Sequence, residues 1–171
     1  MVEISRATSL ELPKPQHGWT VVGLISDTHG LLRAEAVDAL RGCRHVVHAG
    51  DIGGPTILEE LGRIAPVTAV RGNNDRDSWA NSLPLTAELT VGGVRIHVLH
   101  DIAQLGRGVV AAGIQVVVAG HSHKPREERR DGLLYLNPGS AGPRRFSLPV
   151  SLAKLHIAAD LSLRVEFVTL V

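Results

Sequence analysis

Apolar residues in this chain come in short runs that end abruptly at polar clusters. Thr20-Val-Val-Gly-Leu-Ile-Ser26 has the length and composition of a buried strand and stops at Asp27-Thr-His-Gly30. From Leu32 to Leu40 the apolar positions are spaced by Arg33, Glu35 and Asp38, which predicts an amphipathic helix with Gly42 as its stop. His45-Val-Val-His-Ala49 reads as the next strand and is followed by Gly50-Asp-Ile-Gly-Gly54. Pro55 suits the first turn of a helix running to about Ile64, and Val67 to Arg71 reads as a third strand before Gly72-Asn-Asn-Asp75. A β-α-β-α-β series favours a sheet with parallel neighbours, whose strand ends gather loops on one rim. All three polar clusters fall on that rim.

The pattern then changes. Thr86 to Val91 and Val94 to His100 flank Gly92-Gly93, a two-residue hairpin signal. Ile102 to Ala112 reads as a helix interrupted by Gly106 and Gly108, and Gln115 to Ala119 as a strand leading into Gly120-His-Ser-His123. Two further strand pairs are expected, Arg126 to Arg130 with Leu133 to Leu136 about Asp131-Gly132, and Val150 to Ile157 with Leu163 to Leu170 about Ala158-Ala-Asp160. Leu12-Pro-Lys-Pro-Gln-His-Gly18 reads as an extended lead-in, since proline lacks a backbone donor and restricts its predecessor. The expected organisation is an N-terminal extension over 1–18 and a single domain over 19–171.

Composition narrows the class without naming a chemistry. A chain of 171 residues fits one domain, typical domains running roughly 100 to 200 residues. The net charge of +1, the scattered arginines and the scarcity of aromatic residues disfavour bulk nucleic-acid binding. Cys43 is the only cysteine, which excludes an intramolecular disulfide and a cysteine-rich metal cluster. Met1 to Gly18 lacks the continuous apolar stretch of a secretory signal, and no run reaches the roughly 18 apolar residues of a membrane span. The expectation is a cytoplasmic protein without a membrane partner; a homo-oligomer is compatible with the sequence.

The candidate chemistry lies in the polar clusters. Asp27 and His29 sit two residues apart at a strand end, where the alternation of extended backbone turns both side chains the same way. His121 and His123 repeat the spacing. The two oxygens of Asp51 suit a bridge between two cations, Asn73 offers a neutral carbonyl oxygen, and His100 stands where the second hairpin strand ends. This oxygen and imidazole set suits Mn, Fe or Zn better than Cu(I), and is richer in imidazole than Mg or Ca sites.

Ser26-Asp-Thr-His29, Gly50-Asp51, Gly72-Asn-Asn-Asp75, His100 and Gly120-His-Ser-His123, in this order, resemble the calcineurin-like metallophosphoesterases, in particular their small bacterial and archaeal phosphodiesterase branch. The likeness runs from Val21 through Asn137-Pro-Gly-Ser140. It implies an α/β fold, a four-layer αββα sandwich of two mixed sheets flanked by helices. It implies two divalent ions, Mn foremost with Fe, Zn or Ni as alternatives. Asp27, His29, Asp51 and His123 would hold the first, and Asp51, Asn73, His100 and His121 the second. A hydroxide bridging the ions at Asp51 would attack phosphorus in line.

Two departures bear on the reaction. Many family members that cleave monoesters carry histidine after the metal-binding asparagine; here Asn74 stands there, able to contact substrate or transition state by hydrogen bonds but not to act as a general acid. The substrate expected is therefore a small or nucleotide-derived phosphodiester, the alternatives being a monoesterase, a protein phosphatase or a non-catalytic interaction scaffold. Where relatives commonly have glycine after the hairpin histidine this chain has Asp101, which would either orient His100 or add charge to the rim.

Blander roles suit the remaining candidates. Asp27 and Asp51, taken singly, also read as helix-capping or turn residues, and Asp75 as a cap or a support for Asn73. His17, His45, His48, His97 and His156 read as structural histidines with satisfied hydrogen bonds. Arg144 and Arg145 could meet a substrate phosphate bidentately, but a solvated loop pair is the commoner arrangement.

Overall fold

A computed structural model describes residues 10–12, 18–109 and 112–171. The first half forms the expected alternation: β2 (Thr20–Ile25), α1 (Ala34–Leu40), β3 (His45–His48), α2 (Pro55–Gly62) and β4 (Val67–Ala69). Pro55 opens α2, where its missing N–H removes no intrahelical bond. Strands β2, β3 and β4 run parallel, Leu24 opposite Val47 and Val47 opposite Thr68. The chain's last pair, β10 (Ser151–Ile157) and β11 (Leu163–Thr169), extends this sheet antiparallel, giving the order β11-β10-β2-β3-β4.

The second sheet has six strands. The hairpin of β5 (Thr86–Val91) and β6 (Val94–Leu99) turns at Gly92-Gly93, and that of β8 (Arg126–Arg130) and β9 (Leu133–Asn137) at Asp131-Gly132. Strand β7 (Val116–Val118) lies parallel between β6 and β9. The order is β1-β5-β6-β7-β9-β8, where β1 (Leu10–Leu12) runs parallel to β5 from within the stretch read as an extension. The rest of the Pro-containing lead-in falls on residues 13–17, outside the described residues, as does His17.

Alternation along the strands builds the layers. Val22, Leu24 and Val47 meet Leu89, Ile96, Val98, Val118 and Leu136 between the sheets, all buried. On the other face of the five-stranded sheet Ile25, Val46 and Val67 pack against Ala36 and Leu40 of α1 and Ile57, Leu58 and Leu61 of α2. The fourth layer is thin. Of the helix expected over 102–112, residues 110 and 111 lie outside the described residues, and the described part makes one 3-10 turn, Ile102–Gln104, closed by Asp101 Oδ1 accepting from Ala103 N at 3.0 Å. Gly106 and Gly108 each disfavour helix by about 1 kcal/mol relative to alanine, and the following turn sends Val109 onto Leu99, Val117 and Leu133. No helix among the described residues is long and apolar enough to cross a membrane.

Candidate metal centre

The loops that follow β2 and β3 stay paired beyond the sheet. Asp27 N donates to Gly50 O at 3.0 Å, His29 N to Asp51 O at 3.0 Å and Gly30 N to Ile52 O at 2.8 Å. Within this frame Asp27 (φ 54°), His29 (φ 46°) and Asp51 (φ 54°) adopt left-handed backbone, as do His121 (φ 69°) and His123 (φ 61°) on the opposite sheet. The convergence of Asp27 with His29, and of His121 beside His123, thus comes from repeated left-handed turns and not from the pleat alternation expected of extended chain. Aspartate and histidine tolerate this region better than branched residues, and such strain, about 1–3 kcal/mol per residue, persists where surrounding structure over-determines it.

All seven expected ligands are brought together on one rim. His123 Nε2 lies 3.2 Å from Asp27 Oδ1, and His29 Nε2 lies 3.5 Å from His123 Nε2 and 3.8 Å from Asp51 Oδ2. Across Asp51, His100 Nε2 lies 3.4 Å from Asp51 Oδ2 and 2.9 Å from Asn73 Oδ1, and His121 Nδ1 is 3.1 Å from the same Asn73 oxygen. Asp27, His29 and His123 offer donor atoms that all lie within 4.8 Å of one another, and so do Asp27, Asp51 and His100. Asp27 belongs to both groups, and Asp51 Oδ2 lies between His29 Nε2 at 3.8 Å and His100 Nε2 at 3.4 Å.

The arrangement is built to face a cation. His100 Nδ1 donates to Ala49 O at 2.7 Å, so in the neutral ring the Nε2 lone pair points at Asp51 Oδ2 and Asn73 Oδ1. Two oxygens and a lone pair at that range repel unless a positive charge lies between them. The oxygen Oδ1 of Asp27 is buried and accepts no hydrogen bond from the described residues, although buried carboxylate oxygens normally find a donor. The donors present therefore fit divalent metal.

Electrostatics follow the same geometry. Burial by itself would raise the Asp51 carboxyl, but His100 and the Asn74 backbone and side-chain amides hold it well below the usual carboxylate range. Burial is likewise outweighed at Asp27 by the His123 imidazole, 3.2 Å from Oδ1, and by the hydrogen bond from Ser26 Oγ, which hold its carboxyl low. Burial pushes the His29 imidazole down against the pull of Asp51 and Asp27, with Arg145 adding to the depression. At His100 burial is overcome by the Asp51 carboxylate and the Ala49 carbonyl, and its pKa is raised.

Several supporting residues have roles that sequence alone had left open or missed. Asp75 is not a helix N-cap: its carboxylate accepts from Ile52 N at 2.9 Å, Gly53 N at 3.0 Å and Gly72 N at 2.9 Å, tying the third loop to the second. Asn74 is turned onto Asp51, its N to Oδ1 and its Nδ2 to Oδ2, both at 2.8 Å. Asp101 approaches His121 Nε2 at 4.0 Å, while the His100 ring is held by Ala49. Ser26 Oγ donates to Asp27 Oδ2 at 2.7 Å, and Ser140 Oγ donates to Asp27 O at 3.0 Å. A Cβ at Gly72 would overlap Asp51, and one at Gly120 would overlap Ser26, so close approach of backbone to the ligands demands glycine at both. Neither Asp27 nor Asp51 caps a helix; the N-caps of α1 and α2 are Arg33 and Gly54.

The histidines set aside from the centre are bonded to other partners. His48 is wholly buried, accepting from Gly50 N at 3.1 Å and bonding Thr28 Oγ1 at 2.9 Å, and burial pushes its pKa down to about 3. His45 bonds Thr68 Oγ1 at 2.7 Å, and burial pushes its pKa down to about 4. His97 faces Glu88 at 3.4 Å and His156 bonds Glu166 at 2.9 Å. Arg144 donates to Val171 O at 3.3 Å.

The profile of the calcineurin-like phosphoesterase superfamily domain matches residues 21–160. The chain belongs to this family. A probable metallophosphoesterase of Methanothermobacter thermautotrophicus is 36% identical over 141 residues, covering 75% of this chain and 81% of the relative. A second, from Methanocaldococcus jannaschii, is 33% identical over 153 residues, covering 82% and 77%. Among solved structures, Vacuolar Protein Sorting 29 from Cryptosporidium parvum superposes with a TM-score of 0.71 at 21% identity, covering 89% of this chain and 98% of that one. The E. coli phosphoesterase YfcE superposes with a TM-score of 0.62 at 24% identity, covering 89% and 100%. Both share the two-sheet metallophosphoesterase fold.

Proposed function

We propose that this metallophosphoesterase is a dinuclear phosphodiesterase acting on a small or nucleotide-derived diester. The observation that carries the reading is the convergence of all seven donors about Asp51, with Asn74 where a proton-donating histidine would stand. Asp27, His29, Asp51 and His123 would hold one ion and Asp51, Asn73, His100 and His121 the other; Mn suits the set best, with Fe, Zn or Ni as alternatives. Two such ions supply an activated water and charge stabilisation at phosphorus. The protein's part is positional. Asp75 holds the second and third loops in register, Ser26 and the His121 N–H fix Asp27 Oδ2, and Asn74 holds both oxygens of Asp51.

With its amide engaged on Asp51, Asn74 works as a positioning residue and offers the leaving group no proton. Positioned proton transfer is worth about 100 to 10,000-fold, so good leaving groups and diesters are favoured over alkyl monoesters. A binding-subunit role, raised by the likeness to Vacuolar Protein Sorting 29, would not call for a complete ligand set. The protein is proposed to work in the cytoplasm. The deciding assay strips metal, restores Mn and compares bis(p-nitrophenyl) phosphate with p-nitrophenyl phosphate. Metal-dependent turnover favouring the diester is expected. No turnover of either ester overturns the catalytic reading, and a monoester preference overturns the choice of substrate.

A further inference from the structure

Two depressions of different chemistry meet at His121 and Asp101. One, of about 480 Å³, contains Asn73 and His100 and is the mouth of the metal centre, with Arg71 and Arg76 on its wall. The other, of about 230 Å³, is a groove over β7, β8 and β9 in which no expected ligand but His121 takes part. It is smaller than the roughly 300–1,000 Å³ of a complete small-molecule site. Such a volume suits one substituent of a substrate whose phosphate sits in the neighbouring mouth.

The lining selects a flat, neutral group. Val117 and Ala119 give a buried apolar floor, Tyr135 stands beside Val117 in the strand register, and Ile102, 43% exposed, forms an apolar wall. The Arg130 guanidinium lies 4.7 Å from the centre of the Tyr135 ring. Glu128, at 2.6 Å from Arg126 and 3.9 Å from Arg130, and Asp101 at the groove's end match the two guanidinium charges with two carboxylates, so the groove is not an anion site. Ser122 Oγ accepts from Asn137 Nδ2 at 3.0 Å and Lys124 N at 3.3 Å, which leaves its own proton to donate. A tyrosine ring with a guanidinium over it, on which a flat ring can stack, an apolar floor and a free hydroxyl donor match a ring with acceptor atoms on its edge.

We propose that this groove seats a nucleobase-like heterocycle carried by one ester substituent, which makes the substrate of the proposed phosphodiesterase a nucleotide derivative. The inference rests on that reading for the substrate's identity, but it can be tested by binding alone. Calorimetry on the Mn-loaded protein would compare thymidine 5′-monophosphate with methyl phosphate, which share the phosphate and differ in the ring. The nucleotide is expected to bind about tenfold more tightly, within the range of ring stacking on aromatic side chains. Tyr135→Leu should abolish the difference while leaving methyl phosphate affinity within about twofold. Ile102→Ala, at a half-exposed position that does not threaten folding, should reduce the difference in the same selective way.

Equal affinities for the two ligands in the wild type, no binding of either, or equal weakening of both by the variants would overturn the inference. A protein that turns over no diester yet keeps the selective nucleotide affinity would overturn the phosphodiesterase reading and leave the groove's assignment standing.

Discussion

Asp75 carries more of the structure than its place beside the ligands suggests. Its carboxylate is the acceptor for three backbone N–H groups from two loops, and the side chain is buried. Removing it leaves the buried N–H groups of Ile52 and Gly72 without a partner, at about 1–3 kcal/mol each, while water can reach that of Gly53. Asp75→Ala is therefore expected to lower the unfolding free energy by about 3 kcal/mol or more, and Asp75→Asn by less, since one acceptor oxygen remains; chemical denaturation of the metal-free protein measures both. At His45 the expectation concerns pH. Burial lowers its pKa to about 4 in the fold, against 6.5 for the free side chain, so the unfolded chain binds the extra proton first as pH falls. The stability present above pH 6.5 is lost between about 6.5 and 4, on the order of 3 kcal/mol across that window. His45→Gln should flatten the pH dependence of the melting temperature over this range, and an unchanged slope would count against a buried neutral His45.

The elements were legible in the sequence wherever apolar runs met turn chemistry. Strands β2, β3, β5, β6, β8 and β9 fall where their patterns place them, and Pro55 marks the start of α2. The segment after Asp101 was not, because its apolar residues have helical spacing while Gly106 and Gly108 oppose a helix and tertiary contacts of Val109 decide the outcome. At the site, residue types and their order were enough to gather the seven donors. Spacing gave the wrong local reason, since left-handed φ at Asp27, His29 and Asp51 is set by pairing between the loops and leaves no periodic trace. Nor does a sequence show that Asp75 reaches back across 23 residues to Ile52. The glycines did mark where loops touch. Gly72 lets the loop after β4 lie against Asp51, and a methyl there would overlap both the backbone N and the carboxylate. Gly72→Ala should weaken Mn binding by about 10 to 100-fold, the usual effect of disturbing what supports a ligand, while the far-ultraviolet circular dichroism stays as in the wild type. Unaltered Mn affinity would mean that the loop moves aside without disturbing Asp51.

The seven donors are divided between the two sheets. Asp27, His29, Asp51 and Asn73 follow strands of the five-stranded sheet, while His100, His121 and His123 follow β6 and β7 of the six-stranded one. The sheets otherwise meet through an apolar core, which is non-directional and tolerates small shifts. Cations held at this rim would join the sheets by directional bonds at the point where their loops are most strained. Since such ions bind the folded chain and have no preformed site in the unfolded one, they stabilise by mass action, by about 2.7 kcal/mol when the free metal is 100 times its dissociation constant. For a domain of this length each kcal/mol moves the melting temperature by roughly 2–4 °C. Restoring Mn to the chelator-treated protein should then raise the melting point by about 5–10 °C, in proportion to the logarithm of free metal once the sites are filled. Asp51→Asn, which keeps the side chain's shape but weakens a carboxylate placed between His29 and His100, should lose most of that rise while the metal-free melting point changes far less. A melting point indifferent to Mn would show that the strain at Asp27, His29 and Asp51 is borne by the protein's own hydrogen bonds.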